Sequence, residues 1–108
     1  MNIRLPDSIA TFFQVSNDRG TPLPRHCLAE GALVHDEGQV YQGYDAIQAW
    51  LLETQRKYAY RVEPLAVAQD GAAVSVQAKL VGNFPGSPVQ LTYSFVLLNN
   101  KISSLEIQ

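Results

Sequence analysis

Apolar positions recur every three to four residues through most of the first half of the chain and every second residue through the latter half, which predicts helices followed by strands. In "LPDSIATFFQVSNDRG", Ile9, Phe12, Phe13 and Ser16 fall at i, i+3, i+4 and i+7, one face of a helix. Pro6 suits an early helical position, where a missing N–H costs nothing, and Asp7 favours the positive end of the helix dipole. Gly20 is expected to punctuate the helix end. A short second helix is predicted in "LPRHCLAEG", with Leu23, Cys27 and Leu28 turned inward and Gly31 ending it, although Pro24 restricts Leu23 against helical geometry. "ALVHD" then alternates as a strand, placing Ala32, Val34 and Asp36 on one face and Leu33 and His35 on the other. After the turn-like "DEG", Gly43 opens a further helix with Asp45 in its first turn. Its Ile47, Trp50, Leu51, Thr54 and Tyr58 make a stripe that needs a broad apolar surface, for which a sheet is the natural object.

That sheet is predicted in the remaining residues. "YRVEPLAVAQDGAAVSVQAKLVGNF" reads as two strands joined at "QDG", where Asp70 and Gly71 tolerate the positive φ of a tight turn. In the second of these, Val74, Val76, Ala78 and Leu80 alternate with Ser75, Gln77 and Lys79. "FPGSP" makes the next turn, and "VQLTYSFVLLNNKISSLEIQ" supplies two more strands around "NNK", with Leu91, Tyr93, Phe95 and Leu97 on one face. The other face of that strand ends in Val96 and Leu98, so the outer surface of the sheet is expected to meet a partner subunit. Helices followed by meandering strands define an α+β arrangement, with residues 1–108 forming one domain.

Composition narrows the partners. The formal net charge is −2 and the basic residues are scattered, which argues against nucleic acid because phosphate neutralisation needs a concentrated basic face. The single cysteine, Cys27, excludes an internal disulfide and a cysteine-built zinc site. The N-terminus lacks a long apolar run and no stretch approaches the ~20 residues needed to cross a bilayer, so a cytoplasmic protein without membrane contact is expected.

The order of elements, with "LAEGALVHDEGQVYQGYDAIQAWL" at its centre, resembles the nuclear-transport-factor-2-like superfamily, which contains the SnoaL-like polyketide cyclases, the ketosteroid isomerases and limonene epoxide hydrolase. The matching residues are Leu28, Ala29 and Glu30, then Ala32 and Val34 on a strand, His35 and Asp36, and Gly43 before the helix of Ile47 and Trp50. With four C-terminal strands the likeness covers nearly the whole chain. It implies a cone-shaped, cystatin-like α+β barrel, in which a curved antiparallel or mixed sheet is wrapped by three N-terminal helices around an apolar cavity. It also implies a homodimer through the outer sheet face. The functions it implies are either a cofactor-free isomerase, cyclase or dehydratase acting on a small apolar molecule, or a non-catalytic dimeric binding or association module. Fold alone does not choose between them.

Residue by residue, the resemblance is partial. Asp36 occupies the place of the general base of ketosteroid isomerases, at the end of the strand before the long helix. Their oxyanion donors are a tyrosine on the first helix and a protonated aspartate on a late strand; here these places fall at Phe12 or Phe13 and near Tyr93. One donor is absent and the other changed, which argues against steroid isomerisation. The two carboxylates and arginine of limonene epoxide hydrolase have no match.

Two roles are open to Asp36. Sharing a face with Val34, it points toward a cavity, where desolvation would raise its pKa from about 3.9 into the range of a general base; alternatively it caps the "DEG" turn through backbone N–H groups. Glu37, one residue on, is expected to face away into solvent. Tyr93 either donates a hydrogen bond to a carbonyl or enolate oxygen or is a core aromatic with its hydroxyl at the rim. Phe12, Phe13, Val34, Trp50, Tyr58, Phe84 and Phe95 are the candidate walls of the pocket, and the same pattern is that of an ordinary core. His26 and His35 do not converge with Asp36 as local ligands, so no metal is expected. No phosphate-cradling or dinucleotide pattern is present, and no cofactor is implied.

Overall fold

The computed structural model describes residues 4–108. Two helices, α1 (Asp7–Ser16) and α2 (Tyr44–Lys57), accompany the strands β1 (Leu28–Asp36), β2 (Gln39–Gln42), β3 (Tyr60–Asp70), β4 (Ala73–Gly82), β5 (Val89–Leu98) and β6 (Lys101–Ile107). The strands form one sheet in the order β2-β1-β6-β5-β4-β3. β1 runs parallel to β6 and every other neighbouring pair is antiparallel, so the α+β sheet is mixed.

The apolar face of α1 is buried as its spacing requires: Ile9, Phe12, Phe13 and Ser16 are all inside. The helix stops at Ser16, ahead of Gly20, and side chains account for the stop. Asn17 donates from Nδ2 to the Val62 carbonyl and accepts from the Val62 N–H at Oδ1, both at 2.8 Å, which pins the helix end to β3. The buried Gln55 of α2 donates to the carbonyls of Val15 and Ser16 at the helix C-terminus, where the ladder of the helix itself runs out and Val15 otherwise accepts from the Asp18 N–H. Gln55 was not among the inward positions of the stripe read from sequence, because nothing in an apolar pattern marks a glutamine that serves another helix.

The predicted second helix is reduced to a single 3-10 turn, Arg25–Cys27. Leu23, Cys27 and Leu28 do point inward, but Leu28 is already extended and pairs with Ile102. Ladder bonds to β6 outcompete a helical turn that begins next to a proline. Gly31 therefore does not end a helix; at φ 72° it sits inside β1 where the register with β6 shifts, a bulge that bends the strand. The sheet is thus wrapped by two α-helices and a short turn rather than three helices.

A further strand, β2, follows "DEG", with Glu37 (φ 52°) and Gly38 (φ 76°) as the two residues of a tight hairpin between Asp36 and Gln39. The hairpin at "QDG" and the turn at Asn99 and Asn100, both at positive φ, lie where the sequence places them. Further register shifts after Pro64 in β3 and between Val96 and Leu97 in β5 add curvature. Val74, Val76 and Ala78 from β4, Phe95 from β5, and Ile102 and Leu105 from β6 face the helices and close the core. On the outer side Val81, Val96 and Leu98 stand exposed. Among the described residues no helix is long and apolar enough to cross a membrane.

Candidate functional site

The core is not filled to both ends of the sheet. Where β1 and β6 finish and β3 and β5 begin, a cavity of about 390 Å³ opens between the sheet, the C-terminal half of α1 and the buried side of α2. This is within the size range of sites for small organic molecules. Phe12 and Ser16 come from α1, and Trp50, Leu51 and Thr54 from α2. The sheet contributes Asp36, Tyr60, Leu80, Leu91 and Tyr93, while Phe84 and Gly86 of the β4–β5 loop close the mouth.

Asp36 is on this wall because β1 alternates without interruption from Ala32 onward, so its side chain follows the buried Ala32 and Val34. The indole N–H of Trp50 donates to Asp36 Oδ2 at 3.0 Å. Partial burial pushes the Asp36 carboxyl above its ordinary value, and the Trp50 bond offsets part of the rise by favouring the charged form. The turn-capping role has a smaller share: the Glu37 backbone N–H favours the carboxylate, but less than the neighbouring Glu37 charge opposes it. Glu37 is exposed, as expected, but it borders the cavity mouth rather than standing clear of it.

Tyr93 lies opposite on β5, almost wholly buried at 5% exposure. Desolvation raises its phenol above the ordinary value, with smaller contributions from Tyr60 and Asp36 across the cavity. Tyr60, the first residue of β3, is pushed up to about 12 mainly by burial, reinforced by Asp36 and opposed by Arg19. Both phenols are therefore neutral O–H donors at ordinary pH. Neither makes a side-chain hydrogen bond among the described residues, and no Lys, Arg or His from those residues lines the cavity.

Of the expected pocket residues, Phe12, Trp50, Tyr58 and Phe84 are on the wall. Phe13, Val34 and Phe95 are not: they are 3%, 1% and 1% exposed and pack in the filled core. Phe13 and Phe95 meet each other at 5.9 Å between ring centroids, and Phe13 lies 5.1 Å from the Tyr93 ring, so they support the tyrosine from behind. Tyr60, Leu80 and Leu91 were missed as wall residues, although their strand parity, inward like Tyr93, is legible in the sequence. Trp50 also lines a second groove, between α2 and β2, with Tyr41, Ala49, Glu53 and Lys57, so its ring and the Asp36 bond separate the two spaces. His26 and His35 are both exposed, and no three His, Cys, Asp or Glu side chains converge among the described residues.

A helix-covered cone of curved sheet, hollow at one end and carrying a carboxyl and two phenols in an apolar wall, is an α+β arrangement with room for a small molecule. A presumed polyketide cyclase from Sinorhizobium meliloti is 40% identical to the chain over 96% of its length and 95% of the relative's, with a TM-score of 0.90. The chain belongs to the nuclear-transport-factor-2-like superfamily. Two more distant structures share the fold. A Catenulispora acidiphila protein with a ketosteroid isomerase-like fold, solved in complex with trimethylamine, is 15% identical over 97% of this chain and 86% of its own, at a TM-score of 0.84. A nuclear-transport-factor-2-like protein from Anabaena variabilis is 14% identical over 94% of this chain and 83% of its own, at 0.79. No family model matches the sequence, and no curated protein does either.

Proposed function

We propose that the chain binds a small, largely apolar carbonyl compound in this cavity and moves a proton on it, as a cofactor-free isomerase, cyclase or dehydratase does. The observation that carries the reading is Asp36: a carboxyl on the wall of a hollow, anchored by Trp50 and raised in pKa by burial, which are the conditions for a general base. Likeness to a presumed polyketide cyclase supports it. In the proposed step the Asp36 carboxylate takes a proton from carbon beside the carbonyl. The C–H electron pair moves into the new C=C bond, and the carbonyl π pair moves onto oxygen. Tyr93 donates a hydrogen bond to that oxygen, and the Asp36 carboxylic acid then returns the proton to carbon.

The test is deuterium exchange from D₂O into the α-carbon of small cyclic ketones such as 1-tetralone. Wild-type protein is expected to accelerate exchange, with a rate that rises with pH as Asp36 ionises, and Asp36→Asn to lose at least ~100-fold. Binding without acceleration would leave only a non-catalytic pocket.

A homodimer through the outer sheet face is part of the same reading. Val81, Val96 and Leu98 are exposed there; Val96 pairs with the small Ala73 and Ser104, while Val81 and Leu98 pair with Arg61 and Lys101, so a second copy would pack most closely around Val96. Sedimentation equilibrium of the wild type and Val96→Asp distinguishes a dimer that dissociates on substitution from a monomer that never formed one.

A further inference from the structure

The cavity contains a second phenol that the carry-over from known relatives does not supply. Tyr60 enters the wall at the first position of β3, paired with Gly82 of β4. That approach requires a glycine: a Cβ on Gly82 would stand 2.4 Å from the Ala59 carbonyl oxygen and 2.9 Å from the Tyr60 Cα. Asn83, the next residue, holds the same segment, accepting from the Ala59 N–H at Oδ1 (3.0 Å) and donating its own backbone N–H to the Ala59 carbonyl. The backbone that carries Tyr60 is thus fixed by Gly82 and Asn83 before any ligand arrives.

Its partner is Tyr93, a phenol more than nine-tenths buried, lining the hollow with no side-chain hydrogen bond among the described residues. The one sealed side-chain oxygen without a partner among the described residues is Ser8 Oγ, so the Tyr93 hydroxyl is open to the hollow, where a ligand oxygen can take the hydrogen bond it offers. The charged groups on the wall are both acids, Asp36 and Glu37; the nearest cations act from outside it, Arg19 beside Tyr60 and Lys57 in the groove behind Trp50. A ligand carboxylate would meet two negative groups and no lining cation.

We propose that Tyr60 and Tyr93 together grip one oxygen of the ligand, and that the cavity therefore selects neutral carbonyl compounds of one or two rings over carboxylates of the same size. This rests on the proton-transfer reading for the identity of the site and adds to it a specificity-determining residue, Tyr60, and a charge rule. Tyr60 stands where it can supply the hydrogen bond that Phe12 on α1 cannot.

Trp50 is the one tryptophan of the chain and lies on the wall, so its fluorescence reports occupancy directly. Three probes of similar size separate the terms: 1-tetralone, tetralin, which lacks the oxygen, and 1-naphthoate, which carries a charge. Wild-type protein is expected to bind tetralone about tenfold more tightly than tetralin, the worth of a pair of hydrogen bonds, and naphthoate most weakly. Tyr60→Phe, which removes one oxygen atom and keeps the ring, is expected to lower the tetralone-to-tetralin ratio about threefold without changing tetralin affinity; Tyr93→Phe should do the same. A ratio unmoved by Tyr60→Phe, or naphthoate binding as well as tetralone, overturns the proposal. If that happens while Asp36→Asn still abolishes deuterium exchange, the proton-transfer reading stands without it. If none of the three probes binds, both fall.

Discussion

Along β5 two inward aromatics stand one strand repeat apart and meet opposite surroundings. Phe95 is 1% exposed and wedged against Phe12, Phe13 and the Tyr93 ring, with Val74 across the ladder. Tyr93 turns its hydroxyl to a hollow that continues past Leu91 and Val89 to the mouth. The same strand and the same face thus serve a filled core at one end and a container at the other. Packing at the filled end stabilises the sheet so that the open end can leave apolar surface and a phenol without partners, a division common where sites sit on rigid scaffolds.

The comparison breaks most sharply under truncation. Phe95→Ala should cost about 3–5 kcal/mol in urea unfolding, since it removes a large side chain and leaves a void the surroundings cannot close. Leu91→Ala should cost about 1 kcal/mol, because half-buried Leu91 already borders open space and its loss only enlarges the hollow. Equal costs would mean the cavity is closed by collapse in solution. Gly82→Ala comes next: its methyl meets backbone on β3, which cannot swing aside as a side chain tip does, so about 1–3 kcal/mol is expected together with weakened tetralone binding.

The smallest effect has a distinctive pH dependence. The Asp36 carboxyl is raised in the folded state, so its contribution to stability is fully present below the unfolded value near 4 and is lost as pH rises through the folded value. Asp36→Asn, which keeps an acceptor for the Trp50 indole, should therefore match the wild type in melting temperature near pH 4 and exceed it at neutral pH. A wild type that is the more stable of the two at neutral pH would show Asp36 to be a structural carboxylate rather than a desolvated one.

What the sequence made legible follows from what alternation encodes. Period two separates inward from outward, which is why Val74, Val76 and Ala78 were assigned to the core and Asp36 to the face of Val34. It carries no information on height along the cone, so Phe13, Val34 and Phe95 were grouped with Phe12 and Trp50 as pocket wall, although the helices fill one end and not the other. Tyr60 shares the inward parity of Val62, but parity alone does not say that the first residue of a strand stands at the level of the hollow. The short helix after Leu23 failed for another reason: its apolar residues were correctly inward, and either a helical or an extended backbone can turn three such residues the same way. Long-range pairing of Leu28 with Ile102, invisible to any local window, decided it.

The clasp of Asn17 on Val62 has a consequence at the rim of the sheet. β3 is an edge strand, and the outward-facing N–H and C=O of Val62 are both taken by one side-chain amide, as an added strand would take them. At the next outward position Pro64 has no N–H to offer. Two successive docking points are thus closed to an incoming backbone, one by mimicry and one by chemistry, and this border resists growth into a larger sheet. With this border closed to an added strand, the homodimer proposed above is left to the broad outer surface of the sheet.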